Sequence, residues 1–511
     1  MKKVWIWILL PLCACACSSP QLPDKAVAQT DAIVISPDYQ GLTIPCNIAP
    51  LNFNIDADAD EYLTAIYGKT GDKLICSGKK VMWKLKQWKS LLADNQEDTL
   101  CVDIYLRRGD QWLKYPTLKN FVAPDAIDEY ISYRLIEPSY VYYEDMTISQ
   151  RHLTDFDEKV IFGNMYFSTV ESGQCINCHS YQQYNRAGKM QFHIRQQLGG
   201  TVLVDGKQAR KINLKTQQTG LNGVYPSWHP TENLIAYSIN ETGQNFHTRD
   251  LQKVEVMDTK SDVILYDVDK NEISFVAGDS AALETFPSWS ADGKTLYYVS
   301  ARYPQGITPE GLKTRFNEFY YDIFKKTFDL QTKTFSAADT IFAASNHHRS
   351  ATFPRESPDG KYLLFTLGYF GNFHIWHKSA DLYLMDLQTH AVRRMDELNS
   401  PDVESYHSWS SDGHWILFSS RRDDGSYTRL YIAYFKDGRA GKPFIVPQQD
   451  PDFYHRFFKS YNIPEFMVAP VQISRQALMK AIKQAPVNAV YHNPAEQARN
   501  LTDSIQENFY E

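Results

Sequence analysis

The sequence predicts an all-β protein, a β-propeller of about six blades preceded by a small β-sandwich-like domain. Three observations carry this expectation. Aromatic residues, which suit pleated and half-buried surfaces, are abundant: 32 Tyr, 27 Phe and 10 Trp among 511 residues. A hairpin pattern recurs four times in the second half of the chain. Only two stretches, Val81–Ala93 and Gln476–Gln484, read as helix.

Composition narrows the class further. The chain is 43% hydrophobic and 22% charged, enough apolar material for substantial cores. A net charge of −7 and a pI near 6.1 argue against a nucleic-acid partner, which would demand a basic excess. Mean hydropathy is −0.43, and the one long apolar run is N-terminal. That run has a basic start, Met1-Lys2-Lys3, an apolar stretch from Val4 to Leu12, and then Cys13-Ala14-Cys15-Ala16-Cys17. It is too short to span a bilayer and reads as an export signal. Leu12-Cys13-Ala14-Cys15 resembles a bacterial lipobox, with Ala14-Cys15-Ala16-Cys17 as the alternative. The resemblance implies lipidation at Cys15, a signal region at 1–17, and anchoring in the cell envelope, on the periplasmic side or at the outer membrane. Residues 18–30, polar and Pro-containing, are expected to be a tether.

Residues 31–125 are expected to form the N-terminal β domain. Ile33–Tyr39 and Thr99–Leu106 look like strands, the second running into a turn at Arg108-Gly109-Asp110. A pair among Cys46, Cys76 and Cys101 is expected to be able to form a disulfide outside the cytosol.

Residues 173–180 read Gly-Gln-Cys-Ile-Asn-Cys-His-Ser. Cys175-x-x-Cys178-His179 is the attachment pattern of c-type haem. Two thiols at this spacing reach the two vinyl groups on one porphyrin edge, and the following histidine is placed to ligate the iron. A thioredoxin-like pair would want a βαβ context, and a zinc site a second ligand pair; neither is evident. A plain disulfide leaves His179 unexplained. Met190 and His193 are the candidates for the sixth iron position, with Met190 preferred. Their odd separation puts them on opposite faces of a strand, so only one can face a haem. Arg195 is a candidate propionate partner. Repeat-like sequence on both sides leaves no room for a helical cytochrome, so the haem c is expected on a loop, an insertion at 171–198 within the first blade.

The repeats follow. Tyr225-Pro226-Ser227-Trp228, Phe286-Pro287-Ser288-Trp289, Phe353-Pro354-Arg355-Glu356 and Tyr406-His407-Ser408-Trp409 each lead through a turn, Asp-Gly in three of them, into an apolar run. This pattern resembles the W-S-P-D-G repeat of TolB-like β-propellers over roughly 200–447, as does the segment Asp381–Leu387. Glu356 departs from the pattern where the others carry Trp. The anchors Trp228, Trp289, Glu356 and Trp409 lie further apart than a bare blade of about 40–45 residues requires, so the blades carry loop insertions. The remaining blades are sought at Tyr130–Ile136, Tyr140–Tyr143 and Val160–Phe162, with Glu465–Val468 closing a ring over 130–472. Residues 473–511 are expected to be a docked helix and a loose end.

No G-x-S-x-G or H-E-x-x-H motif occurs, so a hydrolase has no support. His347-His348 and His374-x-x-His377 are more readily solvated loop histidines than a metal site. The expected function is an envelope lipoprotein with one covalent haem c, in electron transfer or redox sensing among envelope or redox partners. The rival is a non-redox propeller that binds protein or glycan partners, with Cys175 and Cys178 as a disulfide; a haem enzyme such as a peroxidase ranks third, since it needs an open sixth site and a distal acid–base pair that no residues here supply.

Overall fold

The computed structural model describes residues 20–137, 145–167, 175–247 and 254–492. The lipidation candidate Cys15 and its neighbours Cys13 and Cys17, and the proposed strand Tyr140–Tyr143, lie outside the described residues.

Six antiparallel sheets of four strands or more fill the second part of the chain. Their first strands are Ile176–Tyr181, Gly223–Trp228, Ala282–Trp289, Ser350–Glu356, Glu404–Trp409 and Ser460–Met467. Each of the first five starts a meander whose next strands follow in chain order. The sixth comes from near the C-terminus and pairs antiparallel with Tyr130–Ile136, completing the sheet formed by Tyr130–Ile136, Thr147–His152 and Glu158–Gly163. These six strands contact one another in cyclic order, so the sheets stand around a common axis as the blades of a β-propeller. We number the blades from the one containing Tyr130–Ile136. Closing a ring with strands from both ends of the chain removes the open sheet edges that a linear array would leave.

The haem-loop expectation is corrected here. Residues 176–181 and 189–194 are not a loop inserted in the first blade; they are the innermost and second strands of blade two. Cys178-His179-Ser180-Tyr181 occupies the place that Tyr225-Pro226-Ser227-Trp228 holds in blade three, and the backbone follows the repeat rather than the haem motif.

The N-terminal part has a seven-stranded sheet centred on Thr99–Arg108 and a three-stranded sheet of Ile35–Ser36, Phe53–Ile55 and Lys80–Val81. It is not a separate domain. One hydrophobic core runs from Ile44, Trp88 and Leu100 into Leu364 of blade five, Trp409, Phe418 and Ile432 of blade six and Phe466 of blade one. Polar ties reinforce the junction: Asn52 donates to the Gln449 carbonyl at 2.9 Å, and Ser411 N–H donates to Asp128 at 2.7 Å. The expected tether also contributes, since Val27–Ala28 pairs parallel with Leu113–Lys114. The helix is Leu85–Asp94, shorter at its start than expected, because Val81 is drawn into the small sheet opposite Phe53. Among the described residues all five cysteines, Cys46, Cys76, Cys101, Cys175 and Cys178, are free. Cys76 and Cys101 sit on strands that flank Glu61–Tyr67 on opposite sides. Two inter-strand spacings, about 9.6 Å, exceed the reach of a disulfide.

The C-terminal helix Arg475–Lys483 is capped by Ser474, whose hydroxyl accepts from Ala477 N–H at 3.2 Å. It docks on blade two through Leu478, Ala481 and Ile482. The expected loose end is ordered as far as residue 492: Val487–Asn488 adds to the outer strand of blade two, and Val490–Tyr491 to that of blade three. Backbone hydrogen bonding, invisible in so polar a stretch, holds it.

Candidate functional site

Each innermost strand breaks its register by one residue at the same point, two of its residues opposing one on the neighbouring strand. The first residue of each break has positive φ: Cys178 at 50°, Tyr225 at 47°, Phe286 at 52°, Phe353 at 53°, Tyr406 at 45° and Ile463 at 48°. Such a conformation costs ~1–3 kcal/mol per non-glycine residue. Its repetition in every blade marks it as part of the architecture. The second residue is Pro in four blades, which costs nothing where the ladder is already interrupted, because Pro has no N–H to lose.

The six first residues form a girdle around the axis. Ring centroids are 4.5 Å apart for Tyr225–Phe286, 4.3 Å for Phe286–Phe353 and 4.6 Å for Phe353–Tyr406. Cys178 and Ile463 border the same small cavity and complete the circle.

The sequence-derived site residues fall around this girdle. Cys178 is 3% exposed and His179 1% exposed. Cys175 stands just before the strand, mostly buried, and its burial pushes the thiol pKa up. Burial, helped by the charge of Arg134, brings His179 down to about 3 against a smaller opposing effect of the Ile463 backbone, so the ring is neutral across ordinary pH. Neither His179 nitrogen has a hydrogen-bond partner among the described residues. Its counterpart in blade six, His407, has Nε2 2.9 Å from the Leu364 carbonyl. Met190 lies opposite Tyr181 and His193 opposite Asn177. Met190 is fully buried in a core with Ile148, Phe162 and Phe192. The Nδ1 of His193 is 3.4 Å from the Thr201 hydroxyl, and burial lowers its pKa to about 3. Arg195 is exposed.

Among the described residues, the space beside Cys178 and His179 does not accommodate a haem. The cavity shared by Cys178 and His179 measures about 40 Å³, room for only a few water molecules at about 10–15 Å³ each. Aromatic rings bound it, and Met190 is committed to packing elsewhere. His179 stands where four other blades place Pro and blade six places His407, so its burial follows from the repeat.

Beyond the girdle, at the C-terminal ends of the innermost strands, the axis opens into a funnel of about 450 Å³. Its inner ring is the third residue of each repeat: Ser180, Ser227, Ser288, Arg355, Ser408 and Glu465. Trp228, Trp289 and Trp409 line it further out. Two positions of the ring, flanking Ser408, therefore carry the ionisable residues Arg355 and Glu465 in place of serine. Burial raises Glu465 to about 8, outweighing the lowering effects of Arg355 and the Tyr181 backbone. Sequence reading missed both residues. The available signal was Arg355 standing in the serine position, and Ile463-Pro464-Glu465-Phe466 as an unrecognised sixth repeat.

His347 and His348 are exposed, as expected, whereas His374 and His377 are structural. The Nδ1 of His374 is 2.9 Å from the Thr352 hydroxyl, and His377 lies 3.1 Å from Glu255, both pairs buried. These are not the solvated loop residues expected; blade-five residues 371–377 fold inward over blade three. Asp125, Asp412 and His414 bring three potential ligand atoms within 4.8 Å of one another. Tyr434 donates to Asp125 at 2.6 Å and His414 N–H to Asp412 at 3.0 Å, so the group reads as a clasp between blade six and residue 125.

No protein-family model matches the chain, and no curated protein does. Among solved structures it is similar to a prolyl endopeptidase (11% identity, TM-score 0.31, covering 62% of this chain and 42% of that one). Oligogalacturonate lyase with manganese gives 12% identity and a TM-score of 0.27, covering 81% and 99%. A putative 6-phosphogluconolactonase from Bacteroides fragilis gives 10% and 0.29, covering 64% and 98%. The chain thus spans less than half the length of the endopeptidase. Likenesses this distant carry no argument about chemistry, and the propeller is read from the strand pairing itself.

Proposed function

We propose that this chain is a non-redox binding module of the cell envelope, tethered through the lipidated Cys15, with its ligand seated in the axial funnel. The observation that carries the reading is the funnel: an open cavity of about 450 Å³ lined by indole rings, hydroxyls and the side chains of Arg186, Arg355, Glu356 and Glu465. Concave sites with an apolar lining and a few convergent polar groups are where small ligands and chain ends dock. No acid–base–nucleophile constellation accompanies it among the described residues, so binding is preferred to catalysis. On this reading Cys175 and Cys178 are free thiols.

Two measurements test the reading. Protein matured in a host equipped for c-type haem attachment is expected to give no haem stain after denaturing electrophoresis. A stained full-length band that disappears in Cys175→Ala with Cys178→Ala would restore the electron-transfer reading. Thermal shifts with neutral oligosaccharides, short peptides and small organic anions are expected to stabilise the wild type with at least one class. Ser288→Trp, which fills the funnel, is expected to abolish that shift; equal shifts in both proteins would place binding elsewhere.

A further inference from the structure

We propose that the funnel is an anion site, in which an oxyacid group of the ligand, carboxylate or phosphate, docks on the Arg355 guanidinium beside the Glu465 carboxyl. The inference rests on the funnel being the binding site and specifies what it binds.

The argument starts from the repeat. In four blades the third residue is serine, and Ser227 uses its hydroxyl to accept from Trp289 N–H at 3.1 Å, a local structural role. Arginine is not needed for that role. Among the described residues the Arg355 guanidinium has neither a hydrogen bond nor an ion pair. The neighbouring Glu356 is occupied: it accepts from Tyr297 O–H at 2.6 Å and from Ala291 N–H at 3.0 Å. A partly exposed guanidinium beside Glu465, holding no hydrogen bond among the described residues and facing an open cavity, keeps its donors available to an incoming anion. Its five donors in a planar fork match carboxylate and phosphate oxygens.

Glu465 decides the pH behaviour. The groups facing it are Arg355 from blade five and Tyr181, Tyr184 and Arg186 from blade two, with Glu356 across the funnel. The tyrosines stay neutral because burial raises them. Below about pH 8 Glu465 is protonated and can donate; above it the carboxylate repels an incoming anion and competes for Arg355.

The test is ¹⁹F relaxation of trifluoroacetate added to the full protein, with inorganic phosphate followed by ³¹P relaxation in parallel. Binding of at least one probe is expected at pH 6.5, weakening about tenfold by pH 9.5. Arg355→Ser, which restores the residue found at this position in four blades and so should fold, is expected to abolish it. Lys207→Met, a charge removed from an outer turn, should leave it in place. Glu465→Gln is expected to flatten the pH profile. Trifluoroacetate alone would mark a carboxylate site, phosphate alone a phosphate site, and mutual displacement a general oxyacid site. Absence of binding by both probes, or binding that survives Arg355→Ser, overturns the proposal. If neutral sugars still stabilise the wild type in that event, the funnel reading stands and only its anion chemistry fails.

Discussion

Phe466→Ala is expected to lose ~3–5 kcal/mol of folding stability, seen as a lower denaturant midpoint. Phe466 is 1% exposed and lies in the largest core, which joins blades five, six and one to the N-terminal sheets. It also belongs to the strand Ser460–Met467, which completes blade one and touches the innermost strands of blades two and six. Its partners at 130–136 are more than three hundred residues earlier in the chain. The loop-closure cost is therefore recovered only when this strand docks. A cavity here weakens ring closure as well as local packing, and the variant is expected to unfold faster in proportion. A change below ~1 kcal/mol would show that the strand is dispensable and that the ring is held elsewhere.

The second large effect is a pH-dependent one at Asp258, on the opposite face of the propeller. This carboxyl is 4% exposed and is raised to about 7 by burial, although Asn240 and Asn372 both donate to it, at 2.7 and 2.5 Å. It joins the long hairpin of blade three to the inward-folded segment of blade five. Its folded pKa exceeds the ordinary value of 3.8, so the folded state holds the proton more tightly than the unfolded one. The resulting stability is present below about pH 4 and is lost as pH rises to about 7. Asp258→Asn keeps an oxygen for the two amides and cannot ionise. Between pH 5 and pH 8 its stability relative to wild type is expected to rise by ~3 kcal/mol, from two pKa units at about 1.36 kcal/mol each. Parallel stability profiles for the two proteins across that range would refute the shift.

The repeats show what was legible in the sequence. Tyr225–Trp228, Phe286–Trp289 and Tyr406–Trp409 announce themselves, because aromatic residues and the following turn must be present wherever an inner strand meets its hairpin. Cys178–Tyr181 and Ile463–Phe466 fill the same role with residues that the pattern does not predict. Positive φ and a register break are properties of the backbone, and several residue types can satisfy them at similar cost. So blade two hid behind a haem motif, and blade one hid its innermost strand at the far end of the chain.

By itself, the sequence determined the all-β class and the recurring hairpins, because composition and periodicity act locally and report themselves in one dimension. Only the tertiary structure decided the fate of Cys178 and His179. Spacing along the chain can bring two thiols and an imidazole to a porphyrin edge, but whether space exists for the porphyrin depends on neighbours from other blades. Here Tyr225, Phe286, Phe353, Tyr406 and Ile463 take that space. The same holds for Arg355 and Glu465, 110 residues apart and unremarkable in sequence, which become one site because closing the ring points both into a single funnel.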